Sequence, residues 1–340
     1  MRPWPKWMLP GTKLSATRPP NFYLSHTMGQ VVVLGSLNRD CIAQVEALPP
    51  PGHTVVAKQL LYRFGGKGGN QAVAAAKQDA EVFMIGCVGD DSAGQAYVQM
   101  LNEHGINTDG VVKRAGTPTG MAMISVDAQA ENTIVVCLAA NDTLTADEVV
   151  AQQPAIARGT IMLAQFEVPI GAVVEGLKLA RHMGTTTCLN PSPWRDHFPW
   201  GEVEIDFVVV NEHEAAQLCG QPVLSLGEIG WVRDRIRELG IHTLIVTRGA
   251  DSTPAFSKVG PSFEVPSILV QPVDTVGSGD CFAGVFAARW SEGRMLEMSL
   301  RAACVAGSLA TKKMGAQEGT PDRNDVDEAL ADALMEQMRK

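Results

Sequence analysis

The sequence predicts an α/β fold: a mostly parallel, doubly wound sheet flanked by helices, with a small β-sheet lid. Three observations carry this. Short β-branched runs alternate with helical segments from Val31 onward, at the spacing of successive βαβ units. Two stretches, residues 41–64 and 111–138, hold β-type segments with no helix between them. Two glycine-rich turns each run directly into a helix: at Gly277–Gly279 backbone N–H groups and the helix dipole favour an anion, and at Phe64–Gln71 the glycines let the backbone approach a small ligand.

The elements follow in order. Residues 1–27 stand apart, with Pro3, Pro5, Pro10, Pro19, Pro20, Trp4 and Trp7, four basic residues, no acid and no period. Trp7–Leu9 is too short for a secretory apolar region, and the prolines oppose an amphipathic targeting helix. They read as a disordered leader or a misassigned start, with Met28 opening a body that extends to residue 340. Val31–Gly35 is the first strand, Asn70–Lys77 an Ala-rich helix, and Val82–Val88 a buried strand. Gln95–His104 is an amphipathic helix stopped by Gly105. Later strands are Thr160–Ala164, Thr186–Asn190, Phe207–Val210 and Leu244–Thr247, with helices at Pro169–Met183, Glu212–Cys219 and Gly227–Leu239. The exceptional stretches contribute Ile42–Val45, Thr54–Leu61, Met121–Val126 and Thr133–Leu138, which suit a small antiparallel sheet acting as a lid.

Composition narrows the function. With 340 residues, 45% apolar and 19% charged, the chain fills a large core and is not globally disordered. No apolar run approaches the roughly 20 residues of a membrane span, so a soluble protein without a membrane partner is expected. There are 28 Lys+Arg against 37 Asp+Glu, a net charge of −9, and no basic cluster. Nucleic acid is therefore an unexpected partner, whereas small phosphates remain open through backbone N–H groups or a bound cation. The seven cysteines are widely spaced without C-x-x-C, and the seven histidines form no H-x-x-x-H pair. A disulfide framework and a transition-metal site are not expected, and the compartment reads as reducing, that is, cytoplasmic.

The stretch Val273–Gly284 concentrates the chemistry. Gly277, Ser278 and Gly279 precede a helix running to about Trp290, so their N–H groups can converge on an anion. Asp280 is placed to take a proton from an attacking hydroxyl. The alternative makes Asp280 an N-cap and the glycines a tight turn. The second glycine-rich stretch, Phe64–Gln71, has neither Walker A nor G-x-G-x-x-G spacing, but lets backbone approach a small ligand while Lys67 and Asn70 offer polar contacts.

Gly65–Asn70 and Asp274–Asp280 resemble the two signatures of the ribokinase-like, phosphofructokinase-B type sugar kinases. The resemblance runs from about Val31 to Pro321. Within that family, Gly35–Asp40, Phe64–Ala76 and Asn190–Pro193 look most like the members that act on ribose. The resemblance implies the roles that follow. Asp280 is the base, and Gly277, Ser278 and Gly279 form the anion hole for the γ-phosphate. Asn38, Asp40, Gly66, Lys67, Asn70 and Glu167, with Asp280, hold the sugar. Asn211, Thr247, Gly249 and Gly279 contact the nucleotide, and Glu214 organises Mg²⁺ through water. Read without the family, Asp40 is a strand-end turn residue, Glu167 a solvated Glu before Pro169, and the Asn211–Glu214 pair an ordinary helix cap. Asp274 and the carbonyls of Val276, Ala310, Lys313 and Gly315 match a K⁺ site. Ser278 replaces the commoner Ala, Ser252 stands where a second loop glycine is usual, and Gln317–Pro321 departs from the usual ending.

The resemblance thus implies ATP-dependent phosphorylation of ribose at O5, with Mg²⁺ and K⁺, in a homodimer built through the lid. The alternatives are a kinase for 2-deoxyribose, fructose or adenosine, and a silent sugar-binding regulator. The intact Asp280 and anion hole argue against the silent regulator.

Overall fold

The computed structural model describes residues 29–129, 131–223 and 225–339, so the expectation for residues 1–27 lies outside it. The chain opens with β1 (Gln30–Leu34), β2 (Asn38–Gln44) and β3 (Gln59–Gly65). Helix α1 (Lys67–Ala76) leads to β4 (Glu81–Gly89), α2 (Ser92–Glu103) and β5 (Asn107–Arg114). Then come β6 (Gly120–Val126), β7 (Asn132–Cys137), α3 (Ala146–Val150) and α4 (Gln153–Arg158). The middle of the chain is β8 (Gly159–Gln165), α5 (Ile170–Met183), β9 (Thr186–Asn190), β10 (Ile205–Asn211), α6 (Glu212–Cys219), α7 (Ile229–Glu238) and β11 (Ile241–Thr247). Strands β12 (Thr253–Ser257) and β13 (Phe263–Val265) precede α8 (Ser278–Ser291), α9 (Leu296–Ala310) and α10 (Arg323–Arg339).

Nine described strands form one sheet in the order β13-β12-β11-β10-β9-β8-β1-β4-β5. All pairs are parallel except β11–β12 and β12–β13. Strand β1 is buried throughout. Val32 and Leu34 point into one core cluster with α5, α6 and α7, and Val31 and Val33 into a second with α1, α8 and α9. This is the period of two expected of a strand covered on both faces, and it explains the unbroken apolar run. No helix among the described residues is long and apolar enough to cross a membrane.

The small sheet has the order β3-β2-β6-β7. Its composition corrects three expectations. The segment 107–114 pairs in parallel with β4 in the large sheet, so the second lid excursion starts at Gly120 rather than residue 111. Residues 54–58 are outside any strand, and β3 runs instead from Gln59 to Gly65. The lid is not wholly antiparallel either, because β2 and β6 pair in parallel. A β-type run of a few residues does not reveal its partner, since the same residues suit either sheet.

Two close approaches position the site. Helices α1 and α8 touch at Gly284, where a side-chain Cβ would lie 2.4 Å from the Gln71 carbonyl and 2.6 Å from Ala74 Cβ. The Ala-rich, Gly-rich faces of both helices therefore bring the first turns of α1 and α8 together. At the other contact, Gly277 has φ +77° and a Cβ there would sit 2.4 Å from Ala316 Cβ. Only glycine meets both requirements.

Candidate active site

Asp280 lies in the first turn of α8 and is 6% exposed. The N-cap of α8 is Gly277, with no side-chain cap hydrogen bond, so the capping alternative for Asp280 is not realised. Its carboxylate is held from α1 instead. Asn70 Nδ2 donates to Oδ2 at 3.0 Å and Gln71 Nε2 to Oδ1 at 3.1 Å. Beside it, Gly277, Ser278 and Gly279 form the α8 entry, where the first N–H groups of a helix lack intrahelical acceptors. Nothing lies within 4 Å of a Cβ built on Gly279, so this corner is open.

The residues expected to hold the sugar gather at the junction of β1, the lid and α1. Glu167 is 8% exposed rather than solvated, and its Oε2 accepts from Ser36 Oγ and from the Lys67 backbone N–H at 3.0 Å. It thus serves the α1 N-terminus, where negative charge is favourable. Asp40 sits on β2, with Oδ1 buried and without a hydrogen-bond partner. Burial, reinforced by Glu167, Glu318 and Asp280, pushes its pKa up to about 7. Burial works against the Lys67 ammonium, but Asp280, Glu167 and Glu214 outweigh it and hold its pKa above the ordinary lysine value. Asn38 is buried, and its Oδ1 accepts from Asn141 Nδ2 at 2.8 Å. Gly66, at φ +82°, is the hinge between β3 and α1.

Two clefts meet at α8. One of about 200 Å³ is lined by Lys67, Asn211, Glu214, Thr247, Gly279 and Asp280, among others. The other, of about 270 Å³, runs from Thr247, Gly249 and Gly279 along Phe282, Gly307 and Thr311. Their linings share Thr247 and Gly279, so the polar cleft at Asp280 and the more apolar one along α8 adjoin. Asn211 and Glu214 do form a capping box: Asn211 Oδ1 accepts from the Glu214 N–H at 2.8 Å, and Glu214 Oε2 from the Asn211 N–H at 3.0 Å. The ordinary-cap reading thus holds locally, while Glu214 also lines the cleft. Ser252 is accommodated by new bonds. Its hydroxyl contacts Glu264 and accepts from Arg248 at 2.7 Å, tying the loop after β11 to β13.

Three of the expected K⁺ ligands, the carbonyls of Ala310, Lys313 and Gly315, lie close together around Gly319. A Cβ on Gly319 would meet the carbonyl oxygens of Ala310 at 2.7 Å, Gly315 at 2.7 Å and Lys313 at 3.2 Å. Asp274 joins this loop to the α8 entry, accepting from the Gly315 N–H at 2.9 Å and the Val276 N–H at 3.0 Å. Hard carbonyl and carboxylate oxygens are the donors an alkali cation takes. No group of three or more His, Cys, Asp and Glu able to hold a metal occurs among the described residues.

Sequence reasoning missed Ser36, Gln71, Tyr97, Asn141, Gln165 and Gln317, all of which bond to site residues or their supports. Lone polar residues in apolar or loop segments carry no periodic signal. Their role appears only when distant segments meet.

The pfkB family carbohydrate kinase model matches residues 28–323. The chain is 36% identical over 309 residues to the ribokinase of Bacillus subtilis, covering 89% of this chain and all of that one. It is 30% identical to the deoxyribokinase of Salmonella typhi, covering 88% of this chain and 98% of the other. The structure of Arabidopsis thaliana ribokinase complexed with ribose and ATP superposes with a TM-score of 0.81 at 29% identity, covering 89% of this chain and 98% of that one. This chain belongs to the pfkB family of carbohydrate kinases.

Proposed function

We propose that the chain transfers the γ-phosphoryl group of ATP to O5 of ribose. The observation that carries this is the buried Asp280 carboxylate beside the α8 entry, on a polar cleft that adjoins a larger, more apolar one. Asp40, Asn70, Lys67 and Glu167 read sugar hydroxyls, and Asp280 takes the O5 proton as the phosphoryl group moves in line. The helix N-terminus and Lys67 neutralise charge on the transferring group. Lid closure excludes water, the competing acceptor.

Mg²⁺, when bound, neutralises phosphate charge. Glu214 and Asn211 would orient its water shell rather than ligate it, in keeping with the capping box they form. K⁺ would be held by Asp274 and the carbonyls of Val276, Ala310, Lys313 and Gly315, steadying the loop against which Gly277 packs. Residues 28–340 form the kinase domain, with the lid built from its two excursions, and the seat of action is the cytoplasm. A homodimer through the lid is supported by its exposed apolar side chains Leu60, Tyr62, Met123, Ile134, Val135 and Val136.

The test is ADP release across a panel of pentoses, hexoses and nucleosides. Ribose should give the highest kcat/KM and exceed 2-deoxyribose, because a site built to bond a hydroxyl penalises its absence. The match to a deoxyribokinase makes that comparison the decisive one. Preference for deoxyribose, fructose or adenosine would keep the kinase and discard ribose.

A further inference from the structure

Both oxygens of Asp280 are reached by amide groups, and an amide can present either N–H or oxygen. Which end faces the carboxylate follows from backbone groups further out, because a carbonyl can only accept. In the first arm, Tyr97 O–H donates to the Gly65 carbonyl at 2.6 Å, which uses the only hydrogen of that hydroxyl. Its oxygen therefore accepts from Gln317 Nε2 at 3.0 Å. The same amide nitrogen donates to Asn70 Oδ1 at 3.1 Å, so Asn70 must turn Nδ2 toward Asp280 Oδ2.

In the second arm, Asn190 Nδ2 donates to the Val209 carbonyl at 2.9 Å, which leaves Asn190 Oδ1 facing Gln71 Nε2 at 3.5 Å. Gln165 Nε2 donates to Gln71 Oε1 at 2.6 Å, so the oxygen of Gln71 is engaged and its nitrogen faces Asp280 Oδ1. Gln71, Gln165 and Gln317 are buried, and Tyr97 is fully so. The Gly65 carbonyl fixes the polarity of the first arm and the Val209 carbonyl, through Asn190, that of the second; Gln165 takes its orientation from Gln71, because its own Oε1 is buried without a hydrogen-bond partner.

We propose that Tyr97, Gln317, Gln165 and Gln71 are positioning residues for the base: two hydrogen-bonded arms of fixed polarity that aim the Asp280 carboxylate. This rests on Asp280 being the base. The first arm has a further consequence. Gln317 belongs to the loop bearing the Lys313 and Gly315 carbonyls, and its own carbonyl accepts from Lys77 Nζ at 3.2 Å at the far end of α1. Disturbance of that loop is therefore transmitted to Asp280 through Asn70.

The experiment uses the full chain with Tyr97→Phe, which removes one oxygen, and Gln165→Met, which keeps length and burial. Circular dichroism melts select folded protein, and kcat and both KM values are measured with ribose and ATP. Each variant should lose about tenfold in kcat, as expected when a reacting group is slightly misaimed, with KM for ATP unchanged and KM for ribose moved much less than kcat. In an Asp280→Asn background the same changes should cause no further loss, because the arms act only through the carboxylate. Unchanged kcat in both folded variants, a rise in KM at constant kcat, or an equal loss in the Asp280→Asn background would each overturn the proposal. Full turnover by Asp280→Asn would overturn the base assignment and the arms with it. Loss in Asp280→Asn alone would overturn only the arms.

Discussion

Replacing Asp280 by Asn tests the chemistry most directly, and the structure sets the size of the two effects it produces. The amide keeps the volume of the carboxylate but presents one NH₂ group. Both positions around it are already filled by donors, Asn70 Nδ2 at 3.0 Å and Gln71 Nε2 at 3.1 Å. One donor must then face another, and leaving a buried N–H unsatisfied costs about 1–3 kcal/mol. The protein should melt a few degrees lower, since each kcal/mol moves the midpoint by about 2–4 °C or less in a chain this long. The helix should persist, because its cap is Gly277 and no Asp280 cap bond is lost. The chemical loss is larger. Without a proton acceptor for O5, kcat should fall by about two to four orders of magnitude, equivalent to roughly 3–5 kcal/mol on the barrier. The assay is coupled ADP release at saturating ribose and ATP, run well below the melting point, with sugar and nucleotide affinities by calorimetry. Near-wild-type turnover in folded Asp280→Asn protein would refute the argument and move the search to another acceptor.

The remaining predictions concern the cation, Asp40 and the lid. K⁺ should raise activity above Na⁺ at matched ionic strength, because the Ala310, Lys313 and Gly315 carbonyls converge beside the loop that contacts Gly277; equal rates would remove the cation from the mechanism. Asp40 in the folded protein has its pKa raised from 3.8 to about 7, so its contribution to stability is fully present below the lower value and is lost as pH rises through the upper one. Asp40→Asn should therefore gain in melting temperature relative to the parent between pH 5 and pH 8, while KM for ribose rises; identical pH profiles of melting would show that the Asp40 carboxyl titrates normally. Finally, a charge placed on the exposed lid strand by Ile134→Glu should shift the mass measured by light scattering from dimer to monomer, and an unchanged dimer would place the interface elsewhere.

The sequence by itself determined the α/β class, because β1 and its neighbours are buried on both faces and their β-branched runs alternate with helices. It also marked out the two glycine-rich turns that open α1 and α8. Gly277 must combine a positive φ with contact against Ala316, and such needs leave a local glycine pattern that can be read directly. The parts that tertiary structure decided share a different cause. The segment 107–114 joins the large sheet because β4 offers its edge there, not through anything in its own residues. The capping alternative for Asp280 failed because α8 starts at Ser278 and Gly277 is its cap, which leaves the Asp280 carboxylate, inside the first turn, to Asn70 and Gln71 some 210 residues earlier. Glu167 reads as a solvated residue until the α1 N-terminus arrives beside it. The orientation of the base depends on Tyr97, Gln165 and Gln317, which lie on α2, on β8 and in the loop after α9. A hydrogen bond between distant segments leaves no period and no spacing in the chain. It exists only once packing, here the close crossing of α1 and α8 at Gly284, has brought its partners within reach.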